Sequence, residues 1–109
     1  MNKINEIEIE YIKNDSHSGG TLIDSSNGAE NGFCMGISEY FSEEFGELGI
    51  HDDQEGFYVI EGKGFAKVGN KEFFITKGDS FIVKAGIKHV LKKDINANVL
   101  KVLWSHGAI

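Results

Sequence analysis

The sequence contains no proline, no arginine and only one cysteine. Its 11 basic residues are therefore all lysines, and 17 Asp and Glu outnumber them, which gives a net charge of −6. Nucleic acids and tightly held phosphates favour clustered positive charge and forked guanidinium donors, so this composition argues against both. We therefore expect no nucleic-acid partner. The acidic balance instead raises the local concentration of cations, including metal ions.

The chain also has no long apolar segment. The first 13 residues contain three Glu where a signal peptide would need an apolar run, and no stretch approaches the roughly 18 apolar residues of a membrane span. The single cysteine, Cys34, cannot form an intramolecular disulfide, which indicates a reducing compartment. We expect a cytoplasmic protein with no membrane partner.

What the sequence does contain is short runs rich in Phe, Ile, Val and Tyr, separated by 14 glycines. Their length and composition are typical of β-strands, and no segment has a convincing helical period. Many short strands joined by glycine turns predict an all-β antiparallel sandwich or barrel, and 109 residues predict one domain over 1–109. Gly69-Asn70 is a two-residue hairpin signal. We predict strands over residues 6–11, 21–24, 33–41, 57–60, 65–68, 72–76, 80–83, 89–92 and 98–104.

The N-terminal arm, residues 1–20, includes an alternation of Ile or Tyr with Glu over positions 6–11. A period of two predicts a half-buried strand, and the first strand is expected at a sheet edge. An edge can pair with another chain, and the alternative is pairing within the chain.

The predicted strand over 33–41 presents two opposite faces. The sequence leaves open which face lines the interior, although Cys34 is expected to be an inert, packed thiol. The two sets are Phe33, Met35 and Ile37 on one face, and Cys34, Gly36, Ser38 and Tyr40 on the other.

His51, Glu55 and His89 are the candidate site residues. Gly49 and His51 share a strand face, and Glu55 keeps the same parity after a gentle turn. His89 begins a later predicted strand and can approach from across a barrel. Two imidazoles and a carboxylate are donors that divalent Fe, Mn, Zn, Ni and Co all accept.

Two segments around these residues resemble the two motifs of the cupin superfamily. Residues 49–62, GIHDDQEGFYVIEG, match the first motif with His51, Glu55 and Gly62 in register. Residues 78–93 match the second motif with His89 in register, and fifteen residues separate Gly62 from Gly78, as in small bacterial cupins. The resemblance implies a small double-stranded β-helix, or jelly-roll barrel, with a metal site at His51, Glu55 and His89.

The sequence departs from the family pattern at one expected ligand. Most metal-binding cupins carry three His and one Glu, and Gly49 stands here at the first His position. Lys84 replaces the proline of the second motif and Lys93 its frequent closing asparagine. Another donor could fill the vacancy, solvent or substrate could occupy it, or the site could lack a metal. The candidate replacement donors are Asp53, Gln54, Cys34, Tyr40 and His106.

Other polar residues receive simpler interpretations. His17 is expected in a loop outside the site, and His106 is expected to be exposed near the C-terminus. Asp52-Asp53 could orient His51 but favours a solvated turn. Trp104 is expected in the core or an interface.

The resemblance implies a homodimer and a small-molecule ligand or substrate. Two functions remain open from the sequence. One is an enzyme whose divalent metal activates dioxygen or polarises an oxygen-bearing substrate. The other is a non-catalytic module that binds or senses a small metabolite and has lost the metal.

Overall fold

The structure is a computed structural model that describes residues 3–107. It confirms the predicted all-β antiparallel fold, because every strand pairing is antiparallel. No helix among the described residues has the length and apolar character that crossing a bilayer requires. The strands are β1 (Ile12–Lys13), β2 (His17–Ile23), β3 (Cys34–Tyr40), β4 (Gln54–Val68), β5 (Lys71–Thr76), β6 (Ser80–Val83), β7 (His89–Lys93) and β8 (Leu100–Gly107).

The fold is organised around the long strand β4. Its first half pairs with β8 and β6, and its second half pairs with β5 and β7. The prediction of two separate strands over 57–60 and 65–68 was therefore wrong. One strand passes from one half of the barrel to the other through Gly62, whose φ of 84° a glycine adopts without a Cβ penalty. The Gly69-Asn70 hairpin is confirmed, because Val68 pairs with Lys71 across it.

The core lies between the two halves of the curled sheet. Its members come mainly from β4 and β8, because alternate residues of these strands point inward. Tyr40, Phe81 and Trp104 pack against it as partly buried rings. The buried core consists of Phe57, Val59, Ala66, Ile75, Val83, Leu91, Leu100 and Val102.

The predicted N-terminal strand over 6–11 was wrong. Glu6–Glu8 form a single 3-10 turn instead, and the short strand β1 follows it and pairs with β2. Asn5 caps the turn, with its side chain accepting from the Ile7 N–H at 3.1 Å while its own N–H donates to Glu8. Local capping bonds satisfy the backbone here, so the alternation of Ile and Glu does not produce a strand.

The even-numbered residues of β3 face the interior. Ser38 Oγ accepts a 3.0 Å hydrogen bond from the indole N–H of Trp104, which stands inside the barrel on β8. The expected position of Trp104 against the core is confirmed. This register also places Cys34 opposite His106.

Candidate metal centre

The first and second motif segments are joined by backbone hydrogen bonds at the site. The Gly49 N–H donates to the His89 carbonyl at 2.8 Å, and the His89 N–H donates to the Gly49 carbonyl at 3.0 Å. The Gly86 N–H also donates to the His51 carbonyl at 2.8 Å. These bonds bring the start of β7 against the segment that leads into β4, so residues nearly forty positions apart share one end of the barrel.

His51, Glu55 and His89 converge as the sequence predicts. Glu55 Oε1 lies 3.0 Å from His89 Nε2 and 3.3 Å from His51 Nε2. One ligand atom from each of the three residues lies within 4.8 Å of the other two, which is the spacing that a single ion needs to contact all three. The cluster therefore offers two imidazole nitrogens and one carboxylate oxygen to one point.

The His89 ring has its orientation set by a second hydrogen bond. Its Nδ1 lies 3.1 Å from the Ile87 carbonyl, which can only accept, so Nδ1 carries a proton and Nε2 is directed at Glu55. Metal-binding histidines in proteins are held in this way by a carbonyl or carboxylate behind the ring. The donor set thus has an oriented imidazole before any ion is bound.

Glu55 and His89 form a buried pair of titratable side chains. Glu55 is 5% exposed and His89 is 7% exposed, whereas the His51 side chain is 39% exposed. Burial alone would lower the pKa of His89, but the hydrogen bonds to Glu55 and to the Ile87 carbonyl outweigh it and raise that pKa. The buried carboxylate therefore favours a positive charge at this point, which a proton or a divalent cation can supply.

Gly49 faces the cluster with open space in front of it. A Cβ at this position would lie 3.8 Å from the His89 carbonyl oxygen and 3.9 Å from His89 Nε2, both ordinary contacts. The missing fourth ligand therefore leaves room at the donor set. Among residues 3–107, neither Asp53, Cys34 nor His106 joins the three donors within 4.8 Å.

A cavity of about 440 Å³ opens beside the donor set. Aromatic rings of Tyr40, Phe57 and Trp104 form part of its wall, and hydroxyl groups form another part. Among the described residues, Glu47 and Glu55 are the only acidic ones that line it, and no lysine does. Burial, with the charge of Glu55 adding to it, raises the pKa of Tyr40, so that hydroxyl stays protonated.

The surroundings that the sequence predicts for His17, His106 and Asp53 were wrong. His17 lies in strand β2, stacks on Tyr40 at a ring distance of 4.9 Å and lines the cavity. His106 is only 21% exposed and also lines the cavity. Asp52 and Asp53 do lie in a bend, but the Asp53 side chain is not freely solvated, because its Oδ2 lies 2.9 Å from His106 Nδ1. These positions depend on the pairing of β2 with β3 and of β8 with β3 and β4, which local sequence does not reveal.

Comparison with known proteins agrees with this architecture. A family model described as "Cupin domain" matches residues 42–106. None of the curated proteins compared with the chain matches it in sequence.

Three solved structures illustrate the likeness. The Fe(II) form of HppE has a TM-score of 0.80 at 15% identity, and the match covers 95% of this chain and 59% of that one. The polyketide cyclase RemF from Streptomyces resistomycificus has a TM-score of 0.82 at 15% identity, over 98% of this chain and 79% of that one. An RmlC-like cupin from Shewanella frigidimarina has a TM-score of 0.78 at 16% identity, over 98% of this chain and 90% of that one. At these identities the likeness shows the jelly-roll fold.

Proposed function

The chain belongs to the cupin family, and from that premise we propose that His51, Glu55 and His89 hold one divalent metal ion beneath a small-molecule cavity. The observation that carries the proposal is the single oxygen, Glu55 Oε1, placed 3.0 and 3.3 Å from the Nε2 atoms of His89 and His51. A buried carboxylate together with the two imidazoles that approach it forms a donor set that suits a cation.

The donor set suits a metal that keeps positions for another ligand. Three protein donors leave coordination positions open, and the space in front of Gly49 connects them with the cavity. Divalent Fe, Mn, Zn, Ni and Co all accept two imidazoles and one carboxylate. Such an ion supplies Lewis acidity or a dioxygen-binding position. The protein's own contribution is to orient the His89 ring through Ile87 and to surround the ligand with aromatic rings.

The second candidate function is a metal-free binding module. The observation in its favour is that Glu55 and His89 already satisfy each other at 3.0 Å. In this function the cavity binds an organic molecule directly, and the paired side chains serve only as hydrogen-bonding groups.

Metal analysis of the purified protein tests the proposal against this alternative. We expect about one equivalent of a divalent ion per chain, removable by a chelator and restored by titration with Fe(II), Mn(II), Co(II), Ni(II) or Zn(II) under anaerobic conditions. A chain that is metal-free as purified and takes up none of these ions would favour the binding module.

Filling the vacancy at Gly49 is expected to strengthen metal binding. Gly49→His adds an imidazole where a Cβ has only ordinary contacts near His89, so the expected change is about tenfold or more in affinity for Zn(II). Competition with a chromophoric chelator measures it, and Gly49→Ala is the matched control because it fills space without a donor. Equal affinities for the two variants would contradict the placement of this position at the metal.

The charge of the cavity wall predicts a preference among ligands. Because Glu47 and Glu55 line the cavity and no lysine of the described chain does, we expect metal-loaded protein to bind neutral catechol better than protocatechuate, its carboxylated analogue. Glu47→Lys is expected to shift that ratio by about fivefold toward protocatechuate, since an exposed charge acts weakly. Isothermal titration measures both ligands, and Glu43→Lys, at an exposed glutamate that does not line the cavity, should leave the ratio unchanged.

The cytoplasmic location, the absence of a nucleic-acid partner, the single domain over 1–109 and the homodimer stay predictions. For the homodimer, β1 stands at the end of the sheet order and Ile12 is 83% exposed, so within residues 3–107 no strand pairs with the outer edge of β1. Size-exclusion chromatography with light scattering, on the wild type and on Ile12→Lys, tests whether this edge joins two copies. A dimer that Ile12→Lys leaves intact would contradict pairing at this edge.

A further inference from the structure

Cys34, His106 and Asp53 form a hydrogen-bonded row of side chains beside the metal ligands. Cys34 on β3 is the register partner of His106 on β8, and His106 is the register partner of Glu55 on β4. Directly paired residues of an antiparallel ladder have Cβ atoms about 4.5–5.5 Å apart, so the ladder itself places the thiol beside the imidazole. Asp53, just before β4, approaches the same imidazole from the opposite side.

The hydrogen bonds order these three groups as thiol, imidazole and carboxylate. Cys34 Sγ lies 3.1 Å from His106 Nε2, and His106 Nδ1 lies 2.9 Å from Asp53 Oδ2. The carboxylate can only accept, so Nδ1 carries the imidazole proton and Nε2 presents a lone pair to the thiol. Because the imidazole stands between its two partners, the three cannot surround one ion. Their order is the one in which a base removes the proton of an attacking nucleophile.

We propose that Cys34, His106 and Asp53 form a second reactive centre, in which the Cys34 sulfur adds to a small uncharged α,β-unsaturated carbonyl compound while His106 takes the thiol proton. Asp53 is the positioning residue that holds the His106 tautomer. The centre uses none of the three metal ligands, although the His106 ring stacks on the His51 ring at a centroid distance of 4.9 Å.

The surroundings of the thiol define the kind of electrophile. Burial and the charge of Asp53 raise the pKa of Cys34, although a hydrogen bond with the His106 backbone lowers it, so the sulfur keeps its proton and needs a base. The nearby carboxylates repel anionic compounds, which favours an uncharged partner. The side chains of His106 and Asp53 are 21% and 19% exposed, so this group of residues is half-buried and not fully enclosed.

The addition needs no further reactant. A bond forms between Sγ and the β-carbon, and the π electron pair of the C=C bond moves to give an enolate. The thiol proton passes to His106 Nε2 and from there to the α-carbon, which restores the neutral imidazole. No leaving group departs and nothing is oxidised or reduced, so atoms and electrons balance within the three side chains and the electrophile.

The test is the rate of alkylation by N-ethylmaleimide, followed by intact mass on the whole chain. Cys34 is the chain's only cysteine, so one adduct reports this site alone. We expect His106→Gln to slow the second-order rate by about 100-fold, the lower end of what a general base contributes. Asp53→Asn is expected to slow it by about tenfold or more, because the imidazole loses the acceptor that sets its tautomer.

Asp52→Asn is the matched control, since it removes the same charge from the adjacent, exposed position and should leave the rate within about twofold. A purely structural role of His106 would act in the other direction, because looser packing exposes the sulfur and speeds alkylation. A rate for His106→Gln that equals or exceeds the wild-type rate would overturn the proposal. Folding of each variant is checked by circular dichroism, and Asp53→Asn keeps the proposal falsifiable if His106→Gln does not fold.

Discussion

Replacing His89 by alanine is expected to lower the affinity for a divalent ion by more than about 100-fold. This loss exceeds the usual effect of removing a residue that only hydrogen-bonds to a metal ligand. The ring is buried, its Nε2 lies 3.0 Å from Glu55 Oε1, and the Ile87 carbonyl fixes its orientation. Without it, the ion keeps one carboxylate and the more accessible imidazole of His51. Metal content after dialysis and competition with a chromophoric chelator measure the loss.

The matched control for this prediction is Lys88→Ala. Lys88 is exposed and immediately precedes His89, so its replacement changes the same strand end without touching the donors. His51→Ala is expected to weaken binding less than His89→Ala, because the His51 side chain is 39% exposed and lies 3.3 Å from Glu55 Oε1. Wild-type affinity in His89→Ala would contradict the assignment of the metal to this cluster.

A stability measurement separates lost ligation from lost folding. His89→Ala leaves the buried Glu55 carboxylate without its closest partner, which destabilises the folded chain even without a metal. His89→Gln is the milder replacement, because it retains a side-chain amide at that position. Affinity is therefore compared well below the melting temperature of each variant, so that an unfolded fraction does not mimic a lost ligand.

The sequence predicts strands well where each is a short apolar run between glycines. Predicted strands over 72–76, 80–83 and 89–92 match β5, β6 and β7 within one residue at either end. The period of two and the turn residues that delimit these segments are local features, so the amino-acid sequence is sufficient to predict these strands. The same local reasoning fails at residues 6–11, where capping by Asn5 competes with strand pairing.

The sequence predicts the convergence of the metal donors through motif register rather than through geometry. Nothing local shows that Gly49 and His89 exchange two backbone hydrogen bonds. The residues that the sequence misinterprets, His17, His106 and Asp53, are all positioned by contacts between distant segments. A register shift of one residue would turn each strand's side chains to the other face, and only the folded sheet determines that register.

The second large effect concerns Gly62, where β4 crosses between the two halves of the barrel. Gly62→Ala is expected to destabilise the fold by about 3 kcal/mol or more. The residue has φ of 84°, and an added Cβ would collide with the carbonyl oxygen of Val99, just before β8, so both the backbone conformation and this neighbouring segment oppose a side chain. For a domain of about this size we expect the melting temperature to fall by more than about 10 °C.

Gly78→Ala separates the two causes, because the added Cβ at Gly78 meets nothing within 4 Å although φ is 94°. It should therefore cost only the backbone term of about 1–2 kcal/mol. Chemical denaturation of both variants measures the difference, and equal losses would contradict the close approach of Val99. Because the first half of β4 carries Glu55 and its second half pairs with β7, which begins at His89, a displaced crossing also moves the donors apart. We therefore expect Gly62→Ala, but not Gly78→Ala, to weaken metal binding in the protein that remains folded.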